Sequence, residues 1–149
     1  GALSYGLRKR VDLGRALAKL NRFAGQSVAV SDMVGPGPFD PDAFAAVGRE
    51  FTPGPDYIYT VNLLYHMGIH ARVDFITLEH SHRYDSFREA VDNYSWMFAG
   101  LTGAETRRLE NYVRSIAVRD GNGTISLHPR HVTTWAFIRW APPSGVAIR

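Results

Sequence analysis

The chain has 149 residues, 45% of them hydrophobic and 21% charged, which suits a globular protein with one domain's worth of core. The absence of cysteine excludes disulfides, thiolate catalysis and Cys-ligated zinc, and fits a reducing cytoplasm. The net charge of +3 comes mainly from arginines with acidic residues mixed among them, and no run is apolar enough to span a membrane, so neither a nucleic-acid face nor a membrane segment is expected.

Asp12 reads as the cap of an amphipathic helix over residues 12–24, with Leu13, Ala16, Leu17 and Leu20 as its stripe and Gly25 as its end. Residues 27–34 alternate as a short strand, and Gly35-Pro36-Gly37-Pro38 is a rigid loop that neither helix nor strand absorbs. Asp40-Pro41 carries the cap-plus-proline signature of a helix start, and that helix runs through Phe44 and Val47 to Gly48.

The best-marked element comes next. Pro53-Gly54-Pro55 must precede a helix rather than continue one, Asp56 places negative charge at its start, and Gly68 supplies a left-handed end. Ile58, Val61, Leu64 and Tyr65 form its expected apolar face. Residues 72–78 have strand composition, so helix and strand together read as half of a βαβ unit and predict a parallel sheet.

Residues 79–84 are polar and read as irregular. Ser86 and Glu89 form a capping box before a helical face of Phe87, Ala90, Val91, Tyr94 and Phe98. Thr102 and Glu105 form a second one, with Leu109, Val113 and Ile116 behind it. Asp120-Gly121-Asn122-Gly123 turns a hairpin between residues 117–119 and 124–127. Residues 132–140 are apolar on both faces, as a central strand is, and Pro142-Pro143 stops them.

In this order the chain resembles the C-terminal half of a class I, Rossmann-like S-adenosylmethionine-dependent methyltransferase, closest to small bacterial enzymes of largely unassigned substrate. The likeness is carried by Gly35-Pro36-Gly37-Pro38-Phe39-Asp40-Pro41, by the whole segment from Pro55 through Ile69, and by Ser86-Phe87-Arg88-Glu89-Ala90-Val91. Leu101-Thr102-Gly103-Ala104-Glu105 and Trp135-Ala136-Phe137-Ile138-Arg139-Trp140 extend it.

The resemblance implies a single α/β domain over residues 1–149. Its partial Rossmann-like sheet has strands near 28–34, 72–78 and 131–140, the last lying antiparallel between the other two. Helices flank this sheet, and a helical insertion near 86–118 covers it. S-adenosylmethionine is the implied cofactor, but no residue here matches the family's cofactor-binding motif. The Gly-rich turn and the acidic ribose partner belong to the N-terminal half, and the prolines in Gly35-x-Gly37 remove the N–H groups an anion would need.

Ligands of open α/β sheets collect at the carboxyl ends of the strands, which makes Asp32, His80, His82 and Tyr84 the substrate-side candidates, any of the histidines being a possible general base. Solvated loop histidines are the plainer reading. His66-x-x-x-His70 with His80-x-His82 has metal-ligand spacing, but Gly68 interrupts the helix between the first pair and no metal is expected. Tyr57, Tyr59, Tyr65, Tyr94 and Trp96 are candidates for an aromatic pocket, or simply core and rim.

The expected function is the substrate side of a methyltransferase acting on a small molecule, with the cofactor half supplied by another chain or segment. A non-catalytic binding or scaffold module is the alternative, and a small hydrolytic or lyase-type enzyme is a third reading resting on histidines alone. An unpaired edge on the strand at 28–34 also predicts a homo-oligomer, or docking onto a separate chain carrying the missing half.

Overall fold

Five helices and two three-stranded antiparallel sheets make up the computed structural model, which describes residues 2–79, 82–128 and 132–142, with side chains from residue 12 onward. Two compact units share the chain. One comprises Gly1–Val34, Pro55–Ile76 and Trp135–Arg149, the other Gly35–Gly54 and Thr77–Thr134.

In the first unit, helix α3 (Tyr57–His66) ends as its sequence dictates. Gly68 takes φ +75°, its N–H reaches the Tyr65 carbonyl at 2.9 Å, and the Ile69 N–H reaches the Leu64 carbonyl at 2.9 Å. That pair of bonds is a Schellman motif, sealed by contact within one core between Leu64 and Ile69, both buried. The buried face is rotated from the one expected. Ile58 and Tyr65 are exposed, while Thr60 and Leu64 are buried. Thr60 can occupy the inner face because its hydroxyl donates to Asp32 Oδ2 at 2.6 Å, so burial leaves no polar atom wanting.

Helix α1 (Ala2–Phe23) starts ten residues before Asp12, which therefore lies inside the helix rather than capping it. Asp12 is exposed, so water solvates its carboxylate and no capping role is required of it. Leu17 is buried and Leu13 packs beside it, whereas Ala16 and Leu20 are exposed; the inner stripe runs Leu13, Leu17, Asn21. Asn21 sits there because its Oδ1 accepts from Trp140 Nε1 at 3.0 Å.

The first sheet has the order β1 (Val28–Met33), β6 (Val132–Trp140), β2 (Arg72–Glu79). Strand β6 is antiparallel to β1, with Val28 opposite Trp140 and Met33 opposite Trp135. It is antiparallel to β2 as well, since Asp74 meets Arg139 while Thr77 meets Thr134. The three expected strands and the central position of the last are thus present, but the expected parallel pairing is not. β1 and β2 run the same way only as the outer neighbours of β6. With alternate residues Ala136, Ile138 and Trp140 buried on one face and Thr133 buried on the other, β6 suits the middle position, whereas β2 leaves Phe75, Ile76 and Leu78 exposed, as an edge can.

In the second unit, α2 (Pro41–Val47), α4 (Phe87–Ser95) and α5 (Gly103–Ile116) enclose a core of Ala43, Val47, Tyr84, Ala90, Val91, Phe98, Leu109, Val113 and Ile125. Both capping boxes engage their helices. Thr102 and Glu105 satisfy each other's backbone reciprocally, whereas Ser86 accepts from Glu89 N and Glu89 reaches past it to Asp85 N.

Gly48, at φ +87°, closes α2 with the same Schellman bonds as α3, and Arg49 beyond it forms a bidentate ion pair with Glu105 (2.8 and 3.1 Å). Two of its remaining N–H groups cap the carbonyls of Ala99 and Gly100, both at 2.9 Å, so one guanidinium joins α2 to the turn before α5.

The expected hairpin pairs β4 (Ala117–Arg119) with β5 (Ile125–Leu127), and Gly123 supplies its left-handed residue at φ +85°. A short strand missing from the sequence reading, β3 (Arg83–Tyr84), pairs with β5 on its other side. Two residues are too few to show alternation, so the segment reads as polar loop until its partner is known.

Candidate functional site

The second unit contains a cavity of about 410 Å³ between the β3–β5–β4 sheet, α4 and the loop entering α2. That is within the size range of small-molecule sites. Asp40 stands at one end because Asp40-Pro41 starts α2. Its Oδ1 accepts from Asp42 N and Ala43 N (3.0 and 3.3 Å), its Oδ2 accepts from the Tyr112 hydroxyl (2.8 Å), and its own N–H points at Met97 Sδ (3.4 Å). Tyr94 lies close enough for the carboxylate to act on it. Burial first, and the Asp40 charge second, push its phenol well above the ordinary tyrosine range. Tyr112 is raised likewise, by burial and then by its hydrogen bond to Asp40.

Tyr84 is buried and donates to Asn93 Oδ1 at 3.0 Å, and burial raises its phenol too. The indole of Trp96 is more than half exposed at the cavity lip and packs on Phe39, ring centroids 5.4 Å apart. At the hairpin end, Arg83 Nε lies 3.8 Å from Asp120 Oδ2 and Ser126 Oγ lies 3.3 Å from His128 Nε2.

The serine–histidine contact is not a charge-relay arrangement. Asp120 reaches Ser126 at 3.5 Å, and among the described residues no carboxylate orients the His128 ring, so activation of the serine lacks its third member. The set is better suited to hydrogen-bonding a ligand than to attacking one.

Of the four substrate-side candidates, His82 and Tyr84 line this cavity together, their rings 6.2 Å apart. Asp32 belongs to the first unit, where it accepts from Thr60 and from Met33 N. His80 lies outside the described residues. Of the aromatic candidates, Tyr94 and Trp96 line the cavity, while Tyr57 packs edge-on against Phe75 and Tyr65 is exposed. Among the described residues no group of three or more His, Cys, Asp or Glu side chains could hold a metal.

Asp40, Asn93, Asp120, Ser126 and His128 escaped the sequence reading. Asp40 was visible only as a helix cap, Asn93 lies on α4 where the Tyr84 hydroxyl reaches it, and Asp120, Ser126 and His128 gather only once β3 and β4 flank β5. The Asp120-Gly121-Asn122-Gly123 turn was the available signal that residues on either side of it would meet.

No helix among the described residues is long and apolar enough to cross a membrane. Comparison with protein-family models, with curated proteins and with solved structures returns no match.

Proposed function

We propose that this chain supplies the substrate-binding side of a class I, Rossmann-like S-adenosylmethionine-dependent methyltransferase, with the cavity beside Asp40 as the pocket for the methyl acceptor. The supporting observation is the strand order β1-β6-β2, with the last strand inserted antiparallel between two codirectional ones, as the resemblance implies for the end of that sheet. The residues between β2 and β6 build most of the wall of the cavity, consistent with a cover inserted there to select substrate.

In this reading the cofactor supplies the methyl group when bound, and a Gly-rich turn outside these residues holds it. Asp40, Tyr84, Tyr94 and Asn93 orient the acceptor, and Trp96 shields it from water. His82, exposed where it lines the cavity, serves as the proton acceptor.

Calorimetry with S-adenosylmethionine is the test. The 149-residue chain alone is expected to give no binding heat, and to take part in binding once the cofactor half is supplied by another chain or segment. Failure to bind with that half supplied removes the methyltransferase reading. Tight binding by the 149-residue chain removes the division of labour.

A non-catalytic binding module is the second reading. It is favoured by one observation: every residue lining the cavity belongs to the second unit, so the pocket needs no contribution from a cofactor half.

A further inference from the structure

Asp40 is a carboxylate that faces a cavity and makes no ion pair among the described residues. Its donors are all neutral: two backbone amides at Oδ1, the phenol of Tyr112 at Oδ2, and the phenol of Tyr94, which also hydrogen-bonds the carboxylate. None of them brings a positive charge to it. Tyr94 and Trp96 line the same cavity, aromatic rings whose faces carry negative quadrupole, and the soft thioether of Met97 accepts from the Asp40 N–H.

The cavity's cationic group is already committed. Arg83 pairs with Asp120 at the opposite end and is largely solvent-exposed, so the pair contributes little net charge. His82 and His128 lie at the exposed rim. The charged groups facing the cavity therefore sum to one uncompensated carboxylate walled by aromatic rings.

We propose that this cavity binds an organic ammonium ligand, its charged nitrogen between Asp40, Tyr94 and Trp96 and its apolar body along Met97 and Leu127. A cation there supplies the counter-charge that Asp40 lacks and gains cation–π contact from the rings. As the identity of the methyl acceptor, an amine, this rests on the methyltransferase reading; as a binding site it does not.

The test needs no S-adenosylmethionine and so fails or succeeds separately from that reading. Benzylamine, benzyl alcohol and benzoate are near-isosteric and differ mainly in charge. Each is titrated into the isotopically labelled 149-residue chain at mildly alkaline pH, where ordinary imidazoles are neutral, and followed through backbone amide shifts. Benzylamine is expected to bind at least about tenfold more tightly than benzyl alcohol, with shifts clustered at residues 39–43, 82–84, 93–97 and 120–128 and benzoate weakest. Equal affinity of amine and alcohol, tighter binding of benzoate, no binding at all, or shifts elsewhere would overturn the proposal.

Asp40→Asn is the matching variant, because the asparagine Oδ1 still caps α2 while its Nδ2, in place of Oδ2, can donate to the Tyr112 hydroxyl oxygen, and the charge is gone. It is expected to remove the amine's advantage and leave benzyl alcohol unchanged. An advantage that survives in a folded Asp40→Asn chain, checked by its melting temperature, rules Asp40 out as the recognition group.

Discussion

The phenol of Tyr112 donates to Oδ2 of Asp40 at 2.8 Å and thereby ties the middle of α5 to the start of α2, across 72 residues of sequence. The same carboxylate caps α2, so one side chain holds a helix end and a tertiary contact at once. Tyr112→Phe removes only the hydroxyl and is expected to cost about 1.5–3 kcal/mol in chemical denaturation, the range for a hydrogen bond to a charged group. Asp40→Ala loses the cap as well and is expected to cost about 1 kcal/mol more. Equal losses would show that the cap and the cross-link are not separable.

Tyr84, Tyr94 and Tyr112 resist ionisation, each because burial disfavours the phenolate, with Asp40 adding to the effect at the last two. A phenol raised in the folded chain keeps its proton after the unfolded chain has lost it. The stability this brings is complete below the ordinary value of 10.0 and is lost as pH climbs above it. Ultraviolet titration of phenolate should show exposed tyrosines ionising first and these three only as the chain unfolds. All the tyrosines ionising together near the ordinary value with the fold intact would contradict their buried placement.

The fold was legible wherever the chain writes its own punctuation. Gly68, Gly48 and the two capping boxes fix helix ends by local chemistry, and the hairpin follows from Gly123 needing a left-handed residue. What escaped was decided by partners distant in sequence. Thr60 is buried because Asp32 receives its hydroxyl, Asn21 because it accepts from Trp140, and β3 exists because β5 has a free side. The site was half legible for the same reason. His82 and Tyr84 stood out by residue type, but Asp40 looked like a cap, and nothing local marks a cap that also faces a cavity.

Glu105 is held down to about 2 from 4.5, first by its hydrogen bond to Arg49 and then by the backbone and hydroxyl of Thr102. A carboxyl lowered in the folded chain stabilises it fully above 4.5 and loses that contribution as pH falls toward about 2. Glu105→Gln should therefore be less stable than the parent at neutral pH and converge with it at the acid end, the parent showing the steeper acid limb. Asp74, lowered chiefly by its hydrogen bond to Arg139, supplies part of the slope that remains in the variant. Parallel pH profiles for parent and variant would mean that Glu105 titrates normally.

Gly68 has φ +75° and no atom within 4 Å of where a Cβ would sit, so substitution there meets backbone strain and nothing else. Gly68→Val is expected to cost about 1–3 kcal/mol, the β-branched side chain opposing the left-handed conformation. Gly121 offers a control, because it has the same open surroundings without a positive φ, and Gly121→Ala should be within about 0.5 kcal/mol of the parent. Similar losses at both positions would show that the left-handed conformation at Gly68 does not set the cost.

The last expectation concerns self-association, and the sheet order directs it. Both β1 and β2 are outer strands of the three-stranded sheet, so each has one side unpaired within it. On β1 the alternation is orderly: Val28 is buried, Ala29 and Ser31 are exposed. On β2 neighbouring residues that point to opposite faces are both exposed, Phe75 at 55% and Ile76 at 49%, with Leu78 at 44% beyond them. A strand apolar on both faces with one side unpaired is a template for pairing, and among residues 73–79 no lysine or proline guards it. Asp74 and Glu79 are the charges on that span, and Asp74 is already paired with Arg139 and Arg72, which leaves Glu79 at the end of the strand. The chain is therefore expected to be a homo-oligomer at low micromolar concentration, joined through β2 more than through β1. Light scattering after gel filtration reads the mass, and Ile76→Lys should return it to that of a monomer while leaving the melting temperature nearly unchanged. A parent that elutes as a stable monomer sinks the expectation outright. An oligomer that persists in Ile76→Lys moves the contact away from β2.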